Sequence, residues 1–265
     1  MKLKKIMKTN FLSIKDLNIS FGGIKALQDI SFSMEKGEIF SIIGPNGAGK
    51  TTLFNCISGL YQPDSGTILF ENIPIENKKP HVIAQLGIAR TFQNIELFSH
   101  MNTMENIMLG RHLHMKTGLF RGIFMWGSSS FAGKEEVHHR EKVEEIIDLL
   151  ELQHVRNIPV GALPYGTQKL IELARALALE PRLLLLDEPC AGMNQEEKQD
   201  MIFWIKDIQD DLGITILLIE HDMNLVMEIS DRVLAINFGL PVTLGTPTEV
   251  QQNKEVQKAY LGEEK

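Results

Sequence analysis

Between residues 11 and 36 apolar and polar residues alternate, as in Phe11-Leu12-Ser13-Ile14-Lys15. A period of two predicts strands with one buried face, here an antiparallel pair. The unbroken run Ile39-Phe40-Ser41-Ile42-Ile43 reads instead as a strand buried on both faces. A helix is expected to start at Thr51, and a strand at 67–70 follows the turn Pro63-Asp64-Ser65-Gly66. Residues 87–93 read as another buried strand, closed by Gln93. From about 94 to 162 the pattern turns helical. One helix is expected near 103–109, capped by Asn102 or Thr103. A longer one, at 134–152, has Val137, Ile146, Ile147, Leu149 and Leu150 as its apolar side. Between them 118–133, rich in Gly, Ser and aromatics, reads as an exposed loop, either a connector or a partner contact. After 164 a helix (168–179), a strand (183–186), a helix (195–211) and a strand (214–219) alternate, then strands at 233–237 and 242–244 and short terminal helices. Such alternation predicts an α/β fold with a mostly parallel sheet covered by helices.

The P-loop pattern G-x-x-x-x-G-K-[ST] is met by Gly44-Pro45-Asn46-Gly47-Ala48-Gly49-Lys50-Thr51, followed by Thr52. A buried strand precedes it and a helix follows, the context that turns a pattern into a phosphate site. Glycines let backbone N–H groups turn toward phosphate oxygens, and the helix N-terminus adds partial positive charge. Lys50 is expected to reach the β- and γ-phosphates of ATP, and the Thr51 hydroxyl to ligate Mg²⁺.

A second signal is Leu183-Leu184-Leu185-Leu186-Asp187-Glu188, an apolar strand ending in two carboxylates. In open α/β sheets ligands bind at the carboxyl ends of strands. Asp187 is expected to hold Mg²⁺, and Glu188 to polarise the attacking water as general base. A third apolar strand runs into Glu220-His221-Asp222, where His221 could hydrogen-bond the γ-phosphate. Gln93 has a side chain able to reach Mg²⁺ or water. Phe21, before Gly22-Gly23, could stack on a nucleobase or simply belong to the core.

Composition narrows the class. The chain has 265 residues, 43% hydrophobic and 23% charged, which suits one large α/β domain with a small subdomain. A net charge of −7 argues against a general nucleic-acid surface, and no nucleic acid partner is expected. The two cysteines, Cys56 and Cys190, have no metal spacing and suit a reducing compartment. Cys190 reads as packing. His112, His114, His138 and His139 lack metal-ligand spacing. The basic start Met1-Lys2-Leu3-Lys4-Lys5 leads into no long apolar stretch, so no signal peptide is expected. No run approaches the roughly 18 apolar residues that span a bilayer.

In this order, Phe21, the P-loop, Gln93, Leu163-Pro164-Tyr165-Gly166-Thr167-Gln168, Asp187-Glu188, Ala191-Gly192-Met193-Asn194 and His221 resemble the ATP-binding subunits of ABC transporters over nearly the whole chain. Arg90-Thr91-Phe92-Gln93-Asn94, Met104-Glu105-Asn106-Ile107, Glu220-His221-Asp222-Met223 and Ala259-Tyr260-Leu261-Gly262 resemble the branch serving branched-chain amino acid importers. The resemblance implies a P-loop ATPase with three parts: a catalytic core at 11–93 and 164–250 that includes an antiparallel β subdomain, a helical subdomain at 94–163, and a tail at 251–265. It makes Phe21 the aromatic that stacks on the base, Gln93 the Q-loop glutamine and His221 the switch histidine. Residues 163–168 become the signature motif, with Tyr165, Gly166, Thr167 and Gln168 facing nucleotide, and 191–194 the D-loop. It implies ATP and Mg²⁺ as ligands, a second ATPase subunit as partner, membrane permease subunits bound through 94–162, and a peripheral position on the cytoplasmic face of the membrane. The signature departs from the family's L-S-G-G-Q: Pro164 replaces the serine, Tyr165 the first glycine and Thr167 the glutamine, of which the tyrosine is familiar in this branch. Lipid or lipopolysaccharide export ATPases look similar. A soluble ABC protein of ribosome or DNA is the alternative from another class; a P-loop kinase accounts for neither the signature nor His221.

Overall fold

The computed structural model describes residues 10–115 and 131–261. Strands Leu12–Phe21 (β1) and Ile24–Met34 (β2) form the expected antiparallel pair, in register from Leu12 opposite Met34 to Phe21 opposite Ile24. Three register shifts interrupt the alternation; Asp16 and Asp29 take positive φ at the first two, and Ser31 Oγ accepts the Asp16 N–H at 2.8 Å. Strands Ser65–Phe70 (β4) and Ile73–Pro74 (β5) complete a sheet of order β2-β1-β4-β5.

The second sheet has order β10-β9-β3-β8-β7-β6. Its members are Ile39–Ile43 (β3), Ile88–Arg90 (β6), Leu183–Asp187 (β7), Thr215–Ile219 (β8), Arg232–Asn237 (β9) and Leu240–Gly245 (β10). All pairs are parallel except β9–β10. Every residue of β3, β7 and β8 is buried, which is why these strands carry no polar alternation.

Helix Lys50–Ile57 (α1) lies between the sheets in a core with Leu12, Phe40, Leu185 and Leu217. Phe32 of β2 stacks on Phe40 of β3 at 4.9 Å, tying one sheet to the other. On the opposite face of the parallel sheet, Leu184, Leu186 and Leu218 pack against the remaining helices. These are Thr103–Leu109 (α3), Phe131–Leu149 (α4), Tyr165–Leu177 (α5), Gln195–Leu212 (α6) and Met223–Ile229 (α7). Helix Pro80–Gln85 (α2) precedes β6, and Pro247–Gln252 (α8) and Lys254–Leu261 (α9) end the described chain.

Helix α3 begins at a capping box of Asn102 and Glu105. Its Asn106 is fully buried and holds the preceding loop: Oδ1 accepts the Phe98 N–H, while Nδ2 donates to the carbonyls of Phe98, Met101 and Asn102.

Several boundaries differ from the sequence reading. The strand expected at 87–93 stops at Arg90, and its last backbone tie is Thr91 N–H to the Leu185 carbonyl. Gln93 therefore sits on a loop beyond the strand. Helix α4 ends at Leu149 because Glu151 adopts a left-handed φ of 53°. Val137 is half exposed rather than part of the apolar side. Of the loop expected at 118–133, residues 131–133 are helical, and 118–130 lie outside the described residues. Helix α5 starts at Tyr165, not Gln168, because Pro164 at its N-cap presets φ at −56°.

Candidate active site

Strands β3, β8, β7 and β6 are neighbours and parallel, so their carboxyl ends open onto one edge of the sheet. That edge brings the P-loop, Glu188, His221 and the loop carrying Gln93 to one place. The cleft there has a volume of about 380 Å³ and is lined by residues 46–52, Gln93 and Glu188.

The P-loop is built for close approach. Gly49 has φ 102°, and a Cβ there would lie 2.6 Å from the Ala26 carbonyl oxygen and 2.8 Å from Leu27. No side chain caps α1 and no acid lies in its first turn, so its N-terminal dipole is left for an anion. Lys50 is buried; its Nζ curls onto the loop itself, donating to the carbonyls of Gly44 at 2.6 Å and Pro45 at 3.2 Å. Thr51 is exposed at the cleft floor.

Glu188 takes a left-handed φ of 48° and donates its N–H to the Ile219 carbonyl at 2.9 Å. Such strain in a non-glycine residue concentrates at functional sites. Its side chain is 13% exposed, and Oε2 accepts from Gln93 Nε2 at 2.9 Å. His221 Nδ1 stands 3.9 Å from Glu188 Oε2 and 3.8 Å from Glu220 Oε2, beyond hydrogen-bond length but within ion-pair range. Glu220 is buried, which pushes its carboxyl pKa up, against the pull of the Cys190 and His221 N–H groups. Burial likewise raises the pKa of Asp187, and Arg90 opposes that rise.

Sequence reasoning assigned Arg90 no role. Its Nη2 donates to Asp187 Oδ2 at 2.9 Å, and its Nη1 to Asn55 Oδ1 and Ser58 Oγ of α1. The guanidinium lies 5.5 Å from the centre of the Phe54 ring and 5.2 Å from that of Phe92. An arginine three residues before Gln93 in an otherwise apolar strand was the available signal.

Other expected site residues do not line this cleft. Phe21 packs edge-to-face on Tyr61 at 5.1 Å, and the cleft's lip carries Ile24 and the 79% exposed Phe238 instead. The Phe238-Gly239 turn is bound to the P-loop through Gly239 N–H to the Ala48 carbonyl at 3.0 Å. Tyr165, Gly166, Thr167 and Gln168 form the first turn of α5, outside this cleft. Gly166 and Thr167 line a separate cleft with Met193, Glu197 and Trp204. The Gln168 amide donates back to the Leu163 carbonyl at 2.8 Å. At Gly166 a Cβ would meet Glu197 Oε1 at 2.5 Å, so any side chain there would require the Glu197 carboxylate to move aside. Cys190 is buried, which pushes its thiol pKa up, as packing implies. Among the described residues no helix is long and apolar enough to cross a membrane.

Fold and site together define a P-loop nucleotide-binding domain, and the ABC transporter family model matches residues 27–191. The chain belongs to that family, as one of its ATP-binding cassettes. A second family model, the branched-chain amino acid ATP-binding cassette transporter, matches residues 244–265. The chain is 40% identical to the high-affinity branched-chain amino acid transport ATP-binding protein BraF of Pseudomonas aeruginosa, over 97% of this chain and all of that protein. It is 42% identical to the corresponding protein LivG of Escherichia coli, with the same coverage. Among solved structures, the ADP conformation of MJ1267, an ATP-binding cassette of an ABC transporter, superposes with a TM-score of 0.82 at 31% identity, covering 96% of this chain and 99% of that one.

Proposed function

We propose that this chain is the ATP-hydrolysing subunit of an importer of branched-chain amino acids. The observation that carries the ATPase is the cleft where Lys50, Thr51, Gln93 and Glu188 meet at the carboxyl edge of a parallel sheet. The cargo rests on the match at 244–265 and on what BraF and LivG are named for. Loss of the gene is expected to abolish concentrative uptake of leucine, isoleucine and valine. Uptake unchanged by its loss would sink the cargo assignment.

In this reading the P-loop N–H groups and Lys50 hold the β- and γ-phosphates and offset charge on the leaving ADP. Water attacks the γ-phosphorus in line; Glu188 accepts its proton, and Gln93 holds Glu188 and the water in place. His221 donates to the γ-phosphate. The oxygen donors of Thr51, Gln93 and Asp187 suit Mg²⁺. Among the described residues no group of three His, Cys, Asp or Glu is placed to hold a metal ion by itself. Bound there, Mg²⁺ would neutralise phosphate charge. The base would rest on Phe21 or on the Ile24–Phe238 lip.

Each ATP would lie between this P-loop and the signature of a second ATPase subunit, which accounts for the distance between Tyr165–Gln168 and Lys50. The surface of 94–162 would receive the permease, placing the chain at the cytoplasmic face of the membrane. Crosslinks from the permease that all fall outside 94–162 would refute that docking face.

Pro164 leads to an asymmetry. It supplies neither a hydroxyl nor an N–H to the partner's nucleotide. A lost hydrogen bond to a charged phosphate costs about 1.5–3 kcal/mol, roughly one to two decades in rate if it acts in the transition state. With a non-identical partner subunit, E188Q is expected to lower turnover more than the matching change in the partner. Equal residual rates of the two single mutants would rule the asymmetry out.

A further inference from the structure

Lys169, Glu172 and Arg175 stand at i, i+3 and i+6 on α5 and so share one face of the helix. That face meets the loop after β6. Lys169 and Glu172 are each 2% exposed at the side chain, with Nζ 3.6 Å from Oε2. Lys169 Nζ donates to the carbonyls of Gln93 at 2.7 Å and Phe92 at 3.3 Å. Glu172 Oε1 accepts the Phe92 N–H at 3.3 Å. One turn on, Arg175 Nη1 donates to the Glu96 carbonyl at 2.5 Å.

A buried ion pair is a poor device for stability, since apolar side chains of similar volume serve as well or better. What these charges do is hold main-chain groups of a loop with no ladder of its own. Gln93 is thus divided: its carbonyl is fixed to α5, while its side chain donates to Glu188 Oε2 at 2.9 Å. Helix α5 is also the element that begins with Tyr165 and Gly166.

We propose that Lys169, Glu172 and Arg175 are positioning residues that make Gln93 move with the signature helix, so that the seating of α5 sets the approach of Gln93 to Glu188. The inference rests on the reading of Glu188 as the base.

The test uses K169M/E172M, which removes both charges, because either single change would strand a buried ion. K169R, which keeps a donor, is the rescue control. Hydrogen exchange of amides 92–97 is measured in the full chain with ADP. The kcat and KM of the assembled transporter are measured with Gln93 present and in a Q93A background. Exchange at 92–97 is expected to rise about tenfold, with β7 and β8 unchanged. The kcat is expected to fall about tenfold at a KM constant within about twofold, with K169R near wild type. In the Q93A background the double substitution should cost nothing more, because it acts through Gln93. Unchanged exchange, or the same loss of kcat with and without Gln93, would overturn the proposal. Loosened exchange with normal kcat would also overturn it, provided E188Q is inactive; if E188Q turns over normally, the base reading is what has failed. Should the double substitution not fold, R175M is measured in its place, with the same outcomes at 95–97.

Discussion

Glu188→Gln is expected to keep ATP bound while turnover falls by about 10³-fold, within the range a general base contributes. The change is nearly isosteric. It removes the group able to take the water's proton and leaves an amide oxygen for the Gln93 contact now made at 2.9 Å. The P-loop is untouched, so nucleotide affinity should hold, and the ATP-bound dimer should accumulate. Phosphate release by the assembled complex and size-exclusion chromatography of the ATPase pair with ATP read both effects. Turnover within about tenfold of wild type would remove Glu188 from the role of base.

Lys50→Ala is expected to weaken ATP binding about 10- to 150-fold and to bring hydrolysis below detection. The loss is that of one charge-assisted hydrogen bond to phosphate, about 1.5–3 kcal/mol. Lys50 is buried and held on the loop carbonyls, so its ammonium is already beside the cradle. AMP has no β- or γ-phosphate, so its affinity should be unchanged. Calorimetry with both nucleotides separates the cases: equal losses for ATP and AMP would mean a damaged fold, and unchanged ATP affinity would end the assignment of Lys50.

The parts of the fold that were legible are those whose signal is local. The P-loop is contiguous, and β3, β7 and β8 are buried on both faces, so their apolar runs could be read directly. Both carboxylates at the end of β7 followed from the same run. Contacts between distant segments were not legible. The reach of Gln93 was anticipated, but its loop is set by where β6 leaves the sheet and by Lys169 and Glu172, 76 and 80 residues away. Burial of a Lys–Glu pair contradicts the ordinary solvated reading of charges on a helix. Phe21 read as either a base-stacking or a core aromatic, and its edge-to-face contact with Tyr61 had no local signal. That Phe238 stands on the cleft's lip depends on β9 lying beside β3. Helix ends moved because single residues decide them: Pro164 started α5 earlier, and a left-handed Glu151 stopped α4 short.

The central claim is that hydrolysis at Glu188 drives the import of branched-chain amino acids. Its most direct test is simultaneous measurement of ATP hydrolysis and leucine uptake in vesicles holding this chain with its permease and partner subunits. Wild-type vesicles should take up leucine only while ATP is hydrolysed, and E188Q should stop both together. Leucine uptake that persists in E188Q vesicles, or wild-type hydrolysis with no transport of leucine, isoleucine or valine, would contradict it.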